Sequence, residues 1–275
     1  SITHVLTGLL KMHIENKSEK KLKINNKTKL FLSISSTPGN TGSKFHNFHY
    51  KKLQLNNVYV PIKLNNLSNI NFLKDNDSIG GFSVSMPFKE KIIQYIDKLD
   101  KISKKTKSVN TVKVKNNKFF GFNTDYYGVK EILKKYKIRN KKSVLLLGNG
   151  GMANTIRVLL NDLKFKNINY LSRNKKKYSK WKIKKKFIIN WSGKDTSKKY
   201  DLLINATPLG MWNKNILPIP KKKLNNFKIF LDCAVNNNSK LKNASKILKK
   251  KYISGSELTK YQAKYQFKIY TGKNI

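Results

Sequence analysis

The chain is poor in acids, cysteine and arginine, and it has no long apolar run. Only 14 Asp and Glu stand among 275 residues, against 59 Lys and Arg, for a formal net charge of +45. One cysteine, Cys233, excludes an intrachain disulfide and a cysteine-built zinc site. It reads as a small core residue. The four histidines (His4, His13, His46, His49) lack metal-ligand spacing. No apolar stretch approaches the ~18 residues of a membrane span, so no membrane partner is expected. The basic residues are 56 Lys and 3 Arg (Arg139, Arg157, Arg173). Recognition of bases and phosphates usually recruits the bidentate guanidinium, so the charge argues only weakly for nucleic acid. Lys, Asn, Ile, Tyr and Phe share A/T-rich codons, and the lysines are spread along the whole chain. The charge reads as compositional background, and no nucleic-acid partner is expected despite its size.

What is present is enough for a folded protein. The chain is 39% hydrophobic and 11% aromatic, more than a disordered polycation carries. Its length suits one large domain or two ordinary ones. Residues 1–23 read as a leader of unassigned role. The short apolar piece Val5–Leu10 has no basic flank or small-residue cleavage site, so a secretory signal is not expected. The polar, Lys-rich stretch Glu15–Lys29 looks like a linker.

The second half is the easier to read. Residues 144–151 run Val-Leu-Leu-Leu-Gly-Asn-Gly-Gly, a buried parallel strand meeting a tight turn. Ala153, Ile156, Leu160 and Leu163 then recur at helical spacing. Ile168–Ser172, Phe187–Asn190, Leu202–Asn205, Ile229–Asp232 and Tyr252–Ile253 are further short strand candidates. Strands alternating with helical stretches imply βαβ crossovers and a doubly wound sheet. Gly148-x-Gly150-Gly151-x-Ala153 is a variant of the dinucleotide fingerprint. Gly148 serves the turn, Gly150 lets backbone N–H groups approach a pyrophosphate, and Gly151 or Ala153 allows close packing of helix on strand. An NAD enzyme places an acid after the next strand. This chain has Ser172-Arg173-Asn174-Lys175, in which Arg173 and a nearby Lys can neutralise a 2′-phosphate. The cofactor expected is NADP(H).

In the first half, Leu30–Ile34 reads as a strand, followed by a turn over Ser35–Gly42. Gly81–Ser85 reads as another strand. Pro87 then opens a helix with Ile92, Ile96 and Leu99 on one face. Phe119–Phe122 is a last strand, and Asn123-Thr124-Asp125 leads into a helix carrying Val129, Ile132, Leu133 and Tyr136. His46 reads as a packing or capping residue.

Polar segments stand where open α/β sheets bind ligands: Val84-Ser85-Met86-Pro87-Phe88-Lys89-Glu90, Ser108-Val109-Asn110-Thr111 and Asn123-Thr124-Asp125. Further on come Gly148–Ala153, Asn205-Ala206-Thr207-Pro208-Leu209-Gly210-Met211, and Gly255…Gln262 with Gln266-Phe267…Thr271-Gly272. Together, and in this order, the set resembles shikimate dehydrogenase over residues 24–275. Ser33-Ile34-Ser35, Pro38, Asn40, Gly42 and Phe45-His46-Asn47 look like the family's shikimate dehydrogenase-like branch. The main family has a His-Ser-x-Ser-Pro turn whose two serines bind the substrate carboxylate. By position Asn40 and Gly42 replace them, and Ser43 or Ser35 could substitute. Val235 stands where the family often has Tyr, and the chain ends soon after Gly272, where many members carry another helix.

The resemblance implies an α/β fold: an N-terminal substrate domain over 24–122, a Rossmann-type NADP-binding domain over 123–250, a cleft between them, and a C-terminal helix over 251–275 returning to the substrate domain. It implies NADPH-dependent reduction of 3-dehydroshikimate to shikimate, in the biosynthesis of chorismate and aromatic amino acids. Lys89 paired with Asp125 would donate the proton. Asn40, Ser85, Asn110 and Gln262 would bind substrate. Gly148, Gly150, Gly151, Met152, Ala153, Ser172, Arg173, Asn174, Thr207 and Gly255 would bind cofactor. A cytoplasmic enzyme, monomeric or homodimeric, is expected. Two alternatives stand: a dehydrogenase of quinate or another hydroxy-acid, and a polyanion-binding protein with a vestigial nucleotide fold.

Overall fold

Val144–Leu147 is buried at all four positions, as a strand covered on both faces must be. It forms β7 at the heart of a five-stranded sheet. A computed structural model describes residues 24–174, 176–189, 198–211 and 214–275; the leader 1–23, Lys175 and Asn190 lie outside them. The other strands of this sheet are β8 (Ile168–Leu171), β9 (Tyr200–Asn205), β10 (Phe227–Asp232) and β11 (Lys251–Ile253). All pair in parallel, in the order β11-β10-β9-β7-β8. The chain therefore leaves β7 toward one edge and returns to β9 on the other side. That reversal is a topological switch point, and such sheets open a crevice there at the carboxyl ends of the strands. Leu145, Leu147, Leu203, Phe230 and Leu241 are among the residues packed into the core of this sheet.

The other sheet is mixed. Its strands are β1 (Lys29–Ser35), β2 (Asn57–Lys63), β3 (Ile79–Val84), β4 (Lys98–Leu99), β5 (Thr111–Lys115) and β6 (Lys118–Phe122), in the order β2-β1-β3-β5-β6-β4. β2, β1 and β3 are parallel, whereas β5 runs against β3 and β6. Phe82 and Phe119 are fully buried here, with rings edge-to-face at 5.1 Å. Burial of each contributes about 2–3 kcal/mol. A second cluster of Phe31, Tyr50, Tyr59, Phe267 and Tyr270 joins the strands to the helices Thr41–Lys52 and Gly255–Thr271.

The chain divides into two compact units: the described residues up to Thr124 together with Ala263–Ile275, and Asp125–Gln262. Each holds one sheet. No helix among the described residues is long and apolar enough to cross a membrane.

Two expectations about elements need correction. Ile92, Ile96 and Leu99 do not share an α-helix. Lys91–Tyr95 is a 3₁₀ turn, and Lys98–Leu99 is strand β4. The amide of Asp97 bonds the Phe119 carbonyl at 3.1 Å and that of Asp100 bonds Gly121 at 3.0 Å. Pairing with β6 outweighs the helical spacing. Of Phe187–Asn190, the described part is the end of a 3₁₀ turn (Lys185–Phe187) and a single bridge from Ile188 to Tyr170. The helices Thr41–Lys52 and Lys240–Ile247 and the strand β2 are additions to the reading.

Candidate functional site

The turn after β7 is built by leaving atoms out. Gly148 has φ +108°, and a Cβ there would lie 2.8 Å from the Ala206 carbonyl oxygen. The amide of Ala206 bonds the Leu147 carbonyl at 3.0 Å, so β7 and β9 are held together where they separate. Gly150 precedes the helix Gly151–Asp162, and nothing lies within 4 Å of its missing Cβ. The first helical bond runs from the Asn154 amide to the Gly150 carbonyl. Amides of Gly151, Met152 and Ala153 precede it and have no helical acceptor. A bare helix start of this kind can receive an anion such as a pyrophosphate.

Ser172, Arg173 and Asn174 follow β8 and meet this turn. The Asn149 side-chain amide donates to the Asn174 carbonyl, and the buried Tyr178 hydroxyl donates to that of Gly148 at 3.1 Å. Arg173 and Asn174 are exposed. Thr207 is fixed from the other side of the switch point. Its hydroxyl donates to Asn205 Oδ1 at 2.6 Å, while Asn205 Nδ2 donates to Asp232 Oδ1 at 2.8 Å. Asp232 is fully buried, and burial raises its carboxyl above the ordinary range against the hydrogen bonds from Asn205 and Tyr252. Gly255 opens the last helix against the loop after β10, where a Cβ would strike the Ala234 carbonyl oxygen at 2.6 Å.

Asp125 and Gln262 converge in the same unit. Asp125 lies in the first turn of the helix Thr124–Lys135, where the helix dipole favours a carboxylate. Gly128, one turn on, meets Gln262; a Cβ there would lie 3.0 Å from Gln262 Cβ. Glu257 bonds the Tyr136 hydroxyl at 2.8 Å, which ties the two helices further along.

Ser85, Lys89 and Asn110 converge in the other unit. Phe88 is buried in the core of the mixed sheet, and its amide closes a turn onto the Ser85 carbonyl at 2.9 Å. This leaves Ser85 exposed and Lys89 half-buried beyond the end of β3. The segment before β5 is stitched to both: the Val84 amide bonds the Asn110 carbonyl at 2.8 Å, and the Val109 amide bonds the Lys89 carbonyl at 2.9 Å. Ser35 ends β1 alongside, with a buried hydroxyl that has no hydrogen-bond partner. Asn40 follows Ser35 by five residues. It is exposed before the helix Thr41–Lys52 and its side chain makes no capping bond. Ser43 is committed to the Asn40 carbonyl at 3.0 Å. Gly42 has a packing reason: a Cβ would lie 3.3 Å from the Tyr59 ring, so a serine there would crowd Tyr59.

Several polar residues of this region carried no binding role in the sequence reading. Thr111, Thr124, Gln266 and His46 form one buried network around Asn110. His46 is stacked on Tyr59 at 4.4 Å between ring centroids. Burial lowers its pKa to about 4, against the opposing bond to Gln266, so the ring is neutral near pH 7. Gln266 lies one turn beyond Gln262, a spacing that marks a shared polar stripe. Among the described residues, no group of three or more His, Cys, Asp or Glu could hold a metal ion. A separate cavity of about 480 Å³ is lined by Lys29, Lys74, Lys113 and Lys115 at the amino ends of β1 and β3. With 56 Lys in 275 residues, four in one wall match the background.

The chain is similar to known proteins. A family model described as the shikimate dehydrogenase substrate binding domain matches residues 40–112. A Clostridium botulinum protein named shikimate dehydrogenase (NADP(+)) is 33% identical over 236 residues, covering 83% of this chain and 88% of that protein. A Haemophilus influenzae protein named shikimate dehydrogenase-like protein is 28% identical over 254 residues, covering 90% of this chain and 92% of that one. The crystal structure of a shikimate dehydrogenase in complex with NADP+ matches with a TM-score of 0.77 at 27% identity, covering 92% of this chain and 93% of that one.

Proposed function

The chain belongs to the shikimate dehydrogenase family, and from that premise we propose that it reduces 3-dehydroshikimate to shikimate with NADPH. The observation that carries the reading is the stitching of Ser85, Lys89 and Asn110 around the end of β3. It gathers a cation, an amide and a hydroxyl on one small area, as a polyhydroxylated carboxylate requires. Residues 24–122 hold the substrate in this reading, 123–250 hold NADP(H), and 251–275 contain the C-terminal helix, Gly255–Thr271, after strand β11.

NADPH, when bound, supplies the hydride. Gly148, Gly150, Gly151, Met152 and Ala153 hold its pyrophosphate, with Thr207 and Gly255 beside it. Ser172, Arg173 and Asn174 hold the 2′-phosphate. Reduction of the carbonyl leaves an oxygen that needs a proton. The Lys89 ammonium stabilises the developing charge and donates. Asp125 pairs with Lys89 and fixes the position of its ammonium. Asn110 and Gln262 bind hydroxyls or carboxylate, and Ser85, Asn40 and the unpartnered Ser35 hydroxyl bind carboxylate. The enzyme is cytoplasmic, monomeric or homodimeric, and serves aromatic amino-acid biosynthesis.

A second reading takes quinate or another hydroxy-acid as substrate. Gly42 and the exposed Asn40 favour it, because they stand at the positions of the family's carboxylate-binding serines. The test is NADPH oxidation on adding 3-dehydroshikimate, with shikimate and quinate assayed in reverse. Turnover with quinate alone would move the assignment to the second reading. No turnover with either, together with salt-dependent retention on nucleic acid, would return the charge to first place. In the active enzyme, Lys89→Ala is expected to lower kcat by roughly 10²–10⁴-fold with NADPH affinity retained, and Asp125→Asn to lower it in the same direction. Near-normal turnover in either would sink the pair.

A further inference from the structure

We infer that Tyr178, helped by Asn149, is a positioning residue that holds the Ser172–Asn174 turn where it can read a 2′-phosphate. It thereby sets the preference for NADPH over NADH without touching the cofactor. The inference rests on the proposed role of that turn in cofactor binding.

Gly148 spends both of its backbone groups on the two ends of this turn. Its amide donates to the carbonyl of Leu171, the last residue of β8, at 2.9 Å. Its carbonyl accepts from the Tyr178 hydroxyl at 3.1 Å. Tyr178 lies in the short helix Lys176–Lys180 that follows the turn, so the segment from Leu171 to Tyr178 closes on one glycine. Two further bonds shape what lies between. The Asn149 side-chain amide donates to the Asn174 carbonyl, and Asn174 Oδ1 accepts from the Lys176 amide at 3.0 Å, at the start of the helix. Arg173 is left exposed within the closed segment.

A backbone carbonyl can only accept, so the Tyr178 hydroxyl donates to Gly148. Burial raises the phenol pKa, with the Ser172 hydroxyl opposing, and the proton stays on the oxygen at neutral pH. Tyr178 is fully buried, so it cannot reach a ligand itself, and water cannot replace its bond. The Asn149 bond is exposed, and water replaces part of it. The turn after β7 has anchors of its own: the Ala206 amide on the Leu147 carbonyl at 3.0 Å and the Asn154 amide on the Gly150 carbonyl at 2.9 Å. Loss of the Tyr178 bond therefore loosens the turn after β8 and leaves the glycine turn in place. Contacts to the pyrophosphate, which NADPH and NADH share, survive. Contacts to the 2′-phosphate, which only NADPH carries, are weakened.

Tyr178→Phe removes the hydroxyl and keeps the ring packed on Tyr170 at 5.9 Å and Trp181 at 5.5 Å between centroids. Calorimetric titration of the full chain with NADPH and with NADH gives both affinities without a substrate. NADPH affinity is expected to fall roughly tenfold, with NADH affinity at wild type. An unchanged ratio of the two affinities would overturn the inference. Equal losses of both would also overturn it, because they mark a tyrosine that only supports the fold. Where the phenylalanine variant does not fold, Asn149→Ala is read in the same way, with a smaller expected fall. Arg173→Asp tests the underlying reading separately. An unchanged ratio there, beside a lowered one in Tyr178→Phe, moves the 2′-phosphate contacts to Ser172 and Asn174 and supports the positioning role of Tyr178.

Discussion

At the end of β7 the chain prepares for a ligand by omission. Gly148 and Gly150 carry no side chains, and backbone N–H groups line the space that results. At the ends of β1 and β3 it does the reverse. Ser35, Ser85, Lys89 and Asn110 crowd in as side chains, and Thr111, Thr124, Gln266 and His46 brace one of them from below. The two designs fail differently. A backbone site is damaged by adding atoms, and a side-chain site by removing polar ones. Within one protein, small-to-large changes should therefore strike cofactor affinity, and polar-to-apolar changes should strike substrate affinity.

Gly148→Ala gives the largest expected break of this comparison. The new methyl would face the Ala206 carbonyl oxygen at 2.8 Å in a backbone with φ +108°, a region closed to alanine without strain of order 1–3 kcal/mol. The turn must shift, and the first-turn amides shift with it. NADPH affinity is expected to fall by roughly a hundredfold, with the substrate KM little changed, as measured by titration of the purified variant. Equal losses for both ligands would show that the two sites are not separable in this way.

The same contrast explains what could be read in the residues alone. A backbone site is legible because glycine leaves a mark in the sequence: Val144–Leu147 followed by Gly-Asn-Gly-Gly announces both strand and turn. The parallel sheet was readable for a similar reason, since each of its strands is a short continuous apolar run. The residues proposed for the substrate beside β3, Ser85, Lys89 and Asn110, were picked out only because the family pattern supplied them. Gln266 and His46 lie 220 residues apart, and no local spacing announces that they meet. Ile92, Ile96 and Leu99 mislead for the opposite reason, since their helical spacing is real but pairing of the chain with β6 overrides it.

Arg173→Asp sharpens the comparison at the edge of the backbone site, where a side chain is proposed to contribute. Arg173 is exposed after β8, so solvent weakens what it adds. Removing the guanidinium and placing a carboxylate near the 2′-phosphate is expected to lower the NADPH-over-NADH preference in kcat/KM roughly tenfold. The loss should appear in KM before kcat. An unchanged preference would assign the discrimination elsewhere in the Ser172–Asn174 turn or in its lysines.

The smallest effect belongs to a control at the other end of the same sheet. Asp201 is the second residue of β9 and accepts from the Ser143 amide and hydroxyl at 3.0 and 3.1 Å and from Lys228 at 3.0 Å. Burial alone would raise its pKa; these bonds outweigh burial and lower it from 3.8 to about 2. A carboxyl whose pKa is depressed by folding stabilises the fold while ionised. Its contribution is complete above the ordinary carboxylate range and disappears as the pH falls through about 2. Asp201→Asn should therefore destabilise the protein by about 1 kcal/mol at pH 7, since Lys228 is largely exposed and its charge is screened. Denaturant titrations of variant and wild type should converge toward pH 2. Asp232, at the carboxyl end of the neighbouring strand, has its pKa moved the opposite way by burial; there the ionised form is the disfavoured one, and its stabilising effect declines as pH rises. The KM values of Asp201→Asn should stay at wild type, because its network ties β7 to β9 at the end away from Gly148. A loss of NADPH affinity would mean that the two ends of the sheet are coupled, and that the turn after β7 depends on more than its glycines.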